Sequence, residues 1–68
     1  MEISARNQIK GKIKTIKMDT IMAEIAIALP DGQQLTSVIT RNSAESLKLK
    51  EGDDITAIIK STEVMLGR

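Results

Sequence analysis

From Ile21 to Leu29 the chain places an apolar residue at every second position: Ile21, Ala23, Ile25, Ile27 and Leu29. A period of two is the repeat of a β-strand, whose successive side chains point to opposite faces. The intervening residues, Met22, Glu24, Ala26 and Ala28, are also mostly small or apolar. Such a strand is expected to be buried on both faces, one of them by another subunit. The remaining segments have to be arranged around it.

Alternation recurs on either side. Ile9, Gly11, Ile13 and Thr15 share one face of an earlier strand, and Lys10, Lys12 and Lys14 point the other way. Gly11 inside that strand predicts a bend or the close approach of another backbone. Pro30-Asp31-Gly32 predicts a turn, because Pro presets its φ and Gly accepts a positive one. It leads by a hairpin into a third strand, Gln34 to Thr40. The first link, Lys17-Met18-Asp19-Thr20, has no Gly. Asn42 or Ser43 is placed to cap a short helix with Ala44 and Leu47 as its apolar residues and Glu45 near its N-terminus. Glu51-Gly52-Asp53 turns the chain into a fourth strand, where Ile55, Ala57 and Ile59 alternate with Thr56, Ile58 and Lys60. Val64 and Leu66 mark a short fifth strand. The expected fold is all-β with one short helical turn: a small five-stranded OB-like barrel, as one domain over residues 1–68.

So small a barrel needs help to be stable. A single core in a domain of this size rarely supplies more than about 3–5 kcal/mol. Here eleven Ile, five Leu, two Val, four Met and six Ala must provide every apolar contact, since Phe, Trp, Tyr, Cys and His are absent. Without cysteine there is no disulfide, and without Cys or His the usual zinc ligands are missing. Oligomerisation is the remaining device, so a homo-oligomer is expected. The same absences remove the usual general bases and nucleophiles, which argues against an enzyme. No apolar run approaches the roughly 18 residues of a membrane span, and no signal peptide is recognisable, so the expected compartment is the cytoplasm.

The formal net charge of +1 conceals a segregation. Residues 1–17 carry +4, with Arg6, Lys10, Lys12, Lys14 and Lys17 against Glu2 alone, and the rest of the chain carries −3. Oligonucleotide-binding barrels combine such a basic stripe with aromatic platforms worth about 1–3 kcal/mol per stacked base. With no aromatic residue, only salt-sensitive phosphate attraction remains. This argues against nucleic acid as a partner, and Lys10, Lys12 and Lys14 read as a solvated strand face.

Other polar residues form three donor-rich clusters. Ser4 and Arg6 stand two apart, so in an extended segment they project to one face, a hydroxyl beside a rigid fork of N–H donors. Lys60, Ser61 and Thr62 offer a cation, hydroxyls and turn N–H groups. Thr40 and Ser43 stand at the start of the helical turn, where free N–H groups favour anions. Each cluster also has an ordinary explanation, respectively an exposed terminus, a polar strand end and a helix cap. United by folding or assembly, they would hold a small, tetrahedral, doubly charged oxyanion, with no metal cation coordinated by the protein.

The segments "ISARNQIKGKI", "LTSVITRNSAESLKLKEGD" and "TAIIKSTEVM" together resemble the molbindin, or Mop, domain family over essentially the whole chain. The resemblance implies an OB-like barrel assembled as a homohexamer, a trimer of dimers, that binds molybdate or tungstate between subunits and uses no organic cofactor. It implies that Ser4, the backbone of Ala5, and Arg6 hold the oxyanion. Thr40, Ser43, Lys60 and Ser61 would complete the site. It further implies intracellular storage or homeostasis of molybdenum. The alternatives are a non-catalytic regulatory or interaction module, or a weak nucleic-acid-binding barrel. Neither a helix-turn-helix nor a P-loop GxxxxGK[ST] is present to support the regulatory or transport setting. Many relatives carry Gly at the first hairpin, where this chain has Lys17-Met18-Asp19-Thr20.

Overall fold

Four antiparallel strands form one curled sheet in the computed structural model, which describes all residues from Met1 to Arg68. In chain order these are β1 (Asn7–Met18), β2 (Met22–Ala28), β3 (Gln34–Thr40), a short helix α1 (Arg41–Ser46) and β4 (Asp54–Ile59), followed by a 3-10 turn over Ser61–Glu63. The strand order across the sheet is β3-β2-β1-β4. β1 is long enough to serve two partners. Its first half, Asn7 to Lys12, pairs with β4, and its second half, Lys12 to Met18, pairs with β2.

Gly11 lies where β1 passes from one partner to the other. A Cβ there would stand 2.7 Å from the carbonyl oxygen of Ala28 and 2.7 Å from Ile27 Cγ2. This is the close backbone approach that the glycine predicts. Because a carbonyl in a ladder cannot rotate away as a side chain can, Gly11→Ala is expected to cost about 1–3 kcal/mol, the usual range for overpacking. Equilibrium unfolding in denaturant checks this, with an unchanged midpoint as the contrary result.

The expected inner face of β1 holds only as far as Ile13. Between Ile13, opposite Ile27, and Thr15, opposite Ala26, the register shifts by one residue. This bulge at Lys14 reverses the parity of all that follows. Ile16, not Thr15, therefore packs against the core, formed by Ile13, Ala23, Ile25, Ile27 and Ala44. The spacing Ile13–Ile16 already breaks the period of two. On β2 both faces contribute, since Ala26 on the outer face is also buried.

Both hairpins are closed by aspartates. In the second, Gly32 has φ +90° and donates its N–H to Leu29, while Asp31 accepts from the Gln33 N–H at 3.1 Å. In the first, Asp19 replaces the missing glycine by accepting the backbone N–H groups of Ile21 (2.8 Å) and Met22 (2.7 Å). These two bonds favour the carboxylate and hold Asp19 below its ordinary value of 3.8. A lowered folded-state pKa means that its stabilisation is complete above the unfolded value and is lost as pH falls through the folded one.

Three expectations are corrected. The helix cap is Thr40, two residues before Asn42 and three before Ser43: its Oγ1 accepts from the Ser43 N–H. Glu45 does not lie in the first turn but pairs with Arg41 at 3.2 Å across one helical turn. The curled sheet has four strands, not five. Val64 to Arg68 join no ladder, and the outer edges of β4 and β3 pair with nothing within this chain. Between those two edges runs an apolar cleft of about 340 Å³, lined among others by Ile25, Leu35, Ile39, Leu47, Ile55 and Ile59.

Candidate oxyanion-binding site

β1 starts with Asn7 opposite Ile59, the last residue of β4. That register sets the segment before β1 beside the segment after β4. Ser4, Ala5 and Arg6 accordingly share one depression of about 490 Å³ with Lys60, Ser61 and Thr62, between Ile3 and Ile58. Two of the three clusters expected from the sequence are thus neighbours in space, although more than fifty residues separate them along the chain.

The depression is cationic. The two ion pairs of the molecule are Lys12–Asp54 at 2.9 Å and Arg41–Glu45 at 3.2 Å, and neither involves Arg6 or Lys60. Two positive charges therefore meet at one place without a carboxylate to neutralise them. Lys60 leaves β4 and stands at the start of the 3-10 turn, one residue beyond the strand it was expected to end. The turn's own bonds come from Glu63 and Val64, so the N–H groups of Ser61 and Thr62 make no backbone hydrogen bond. Cations, three hydroxyls and free N–H groups together can receive a compact anion; they would repel a bare metal cation. Thr62, adjacent to Ser61 in the sequence, joins the lining.

Thr40 and Ser43 lie elsewhere. Thr40 pairs with Met22 and Ala23 pairs with Met18, so both belong at the far end of β1 from Asn7. The Thr40 hydroxyl donates to Ser43 Oγ at 2.8 Å while accepting the Ser43 N–H at 3.1 Å. Ser43 Oγ, already an acceptor, keeps its own proton for an outward bond. Within one chain this third cluster is not united with the other two.

The lysine stripe behaves as a solvated face. Lys10, Lys12 and Lys14 are exposed, and Lys12 is paired with Asp54, whose carboxyl it holds below the ordinary value by hydrogen bond and charge. Gln8 was missed by the sequence reading: its side-chain amide donates to the Ala5 carbonyl at 2.7 Å. Its place three residues after Ala5 was the available signal.

Fold and site together define a small OB-like module, one curled antiparallel sheet with a cationic, donor-rich depression at one end. Comparison with known proteins gives the family. The TOBE domain model matches residues 3–66. Molybdenum-pterin-binding protein 1 of Clostridium pasteurianum is 48% identical over 66 residues, covering 97% of each chain. A molybdate-binding protein from Sporomusa ovata, solved at high resolution, superposes with a TM-score of 0.93 at 37% identity over the full length of both chains. The cytoplasmic molybdate-binding protein ModG, solved with molybdate bound, superposes with a TM-score of 0.85 at 38% identity, covering 90% of this chain and 43% of ModG. The chain belongs to the TOBE domain family, as a Mop-type (molbindin) domain. No helix is long and apolar enough to cross a membrane.

Proposed function

We propose that this chain binds molybdate or tungstate as the intact tetrahedral dianion, at subunit interfaces of a homo-oligomer, and serves cytoplasmic storage or homeostasis of molybdenum without catalysing a reaction. The observation that carries this reading is the meeting of Arg6 and Lys60, both free of carboxylate partners, at one depression with Ser4, Ser61 and Thr62. The names of its relatives point the same way. Several of those names also mention a pterin. This chain has no aromatic side chain on which a flat ring would stack, and its unpaired cations and hydroxyls match the oxyanion instead.

Exposure supports an interface location. Ser4, Arg6, Lys60 and Ser61 are all exposed in the single chain, as are Thr40 and Ser43 at the other end of β1. Charge-assisted bonds strengthen when water is excluded, and a second copy would both exclude it and bring Thr40 and Ser43 to the anion. Only six residues are buried, while Ile21, Val38, Leu47, Met65 and Leu66 stand at 60–95% exposure. That much open apolar surface is expected to be covered by further copies. The assembly we propose is the homohexamer, a trimer of dimers, in which residues 1–68 act as one Mop domain and Val64–Leu66 supply the missing fifth strand at a neighbour's free sheet edge.

The decisive experiment is titration of the native protein with molybdate, tungstate and sulfate, with native mass spectrometry on the same samples. Molybdate or tungstate bound at micromolar concentration to a multiple of the chain mass is expected. A monomer, or no binding of either anion, contradicts the proposal.

A further inference from the structure

We propose that Gln8 is a positioning residue of the anion site, which holds Ser4–Ala5–Arg6 in place through the carbonyl of Ala5. This rests on reading that segment as part of an oxyanion site. Residues 1–6 precede the first strand, and none of them enters a backbone–backbone hydrogen bond. Their one hydrogen-bonded tether is the bond from Gln8 Nε2 to the Ala5 oxygen, at 2.7 Å.

Gln8 is well placed to act as the anchor. Its backbone lies in the β1–β4 ladder opposite Ile58, and Ile58 lines the same depression. Ala5, which receives the bond, is the half-buried residue of the segment, between exposed Ser4 and Arg6. Fixing the Ala5 carbonyl fixes the peptide plane joining Ala5 to Arg6. The direction of the Arg6 N–H is then set before any ligand arrives. The bond also occupies an oxygen whose lone pairs would otherwise be free to face an incoming dianion. Without the tether, the segment's backbone would have to be ordered at the moment of binding, at a cost to affinity.

The test uses Gln8→Met, of similar length but with no donor, alongside Arg6→Ala and the double variant, all as assembled protein. Molybdate titration is read together with amide hydrogen exchange over residues 3–6 in the absence of the anion. Gln8→Met is expected to raise the molybdate Kd about three- to tenfold, as for loss of one hydrogen bond, and to speed exchange over the segment. Native mass and the ligand-free thermal midpoint should not move. In the Arg6→Ala background the effect of Gln8→Met should fall below about twofold, since a residue acting through another is non-additive with it. An unchanged Kd, an equal loss in both backgrounds, or a fall in mass or midpoint overturns the proposal. If the wild type binds no molybdate, the reading of the site fails, and exchange alone then decides the tether: faster exchange supports it and equal exchange refutes it.

Discussion

Replacing Arg6 or Lys60 by alanine is expected to weaken molybdate binding by at least about 1.5 kcal/mol, the low end for hydrogen bonds to charged groups, or more than about tenfold. Lys12→Ala should change it by less than about twofold, because Lys12 is a solvated cation already paired with Asp54. The contrast separates two uses of positive charge within one stretch of sequence. Arg6 and Lys60 share a depression, lack carboxylate partners, and stand beside hydroxyl and N–H donors that give their attraction a direction. Lys12 has charge without such a setting. Isothermal titration of the three variants at fixed ionic strength measures the difference. Equal losses for Lys12→Ala and Arg6→Ala would move the site onto the lysine stripe and off the depression.

Leu66→Asp is expected to dissociate the proposed assembly, taking the native mass towards that of one 7.4 kDa chain. Leu66 is 95% exposed and Met65 92%, at the end of a segment that pairs with nothing in its own chain. In the proposed assembly Leu66 is buried against another copy, and a carboxylate in its place would have to be desolvated without a partner, which is strongly unfavourable. On a face that stays wet, the same change would be nearly neutral. Molybdate binding at micromolar protein should be lost together with the assembly. High molybdate should partly restore the mass, because a ligand of the oligomer opposes dissociation. Sedimentation velocity with and without the anion reads both effects, and an unchanged mass would remove the tail from the interface.

Much of the fold was legible in the sequence because its signals are local. The alternation over Ile21–Leu29 marks β2, Pro30-Asp31-Gly32 marks the second hairpin, and Gly11 marks the close approach of Ala28. Each concerns neighbouring residues, or a Cβ that has no room. The bulge at Lys14 was harder to see, since one extra residue leaves composition unchanged and reverses only the facing of Thr15 and Ile16. The first turn was obscured in another way. It is closed by the Asp19 carboxylate accepting two N–H groups, a device that carries none of the marks of a glycine turn. The fifth strand failed as an expectation for a different reason. Val64 and Leu66 have strand spacing, but a strand needs an edge to pair with, and spacing does not say whose.

By itself the sequence determined the β class, the position of the second hairpin, the absence of the usual catalytic and metal-binding side chains, and three donor-rich clusters. These depend on residue type and short-range geometry, which a chain carries with it before folding. What only the tertiary structure decided is which groups meet. The pairing of Asn7 with Ile59 joins Ser4–Arg6 to Lys60–Thr62, and the pairing of Met22 with Thr40 sends Thr40 and Ser43 to the opposite end of β1. Register is set by long-range burial, through the packing of Ile13, Ile25 and Ile27 around Ala23 and Ala44. No single segment holds that information.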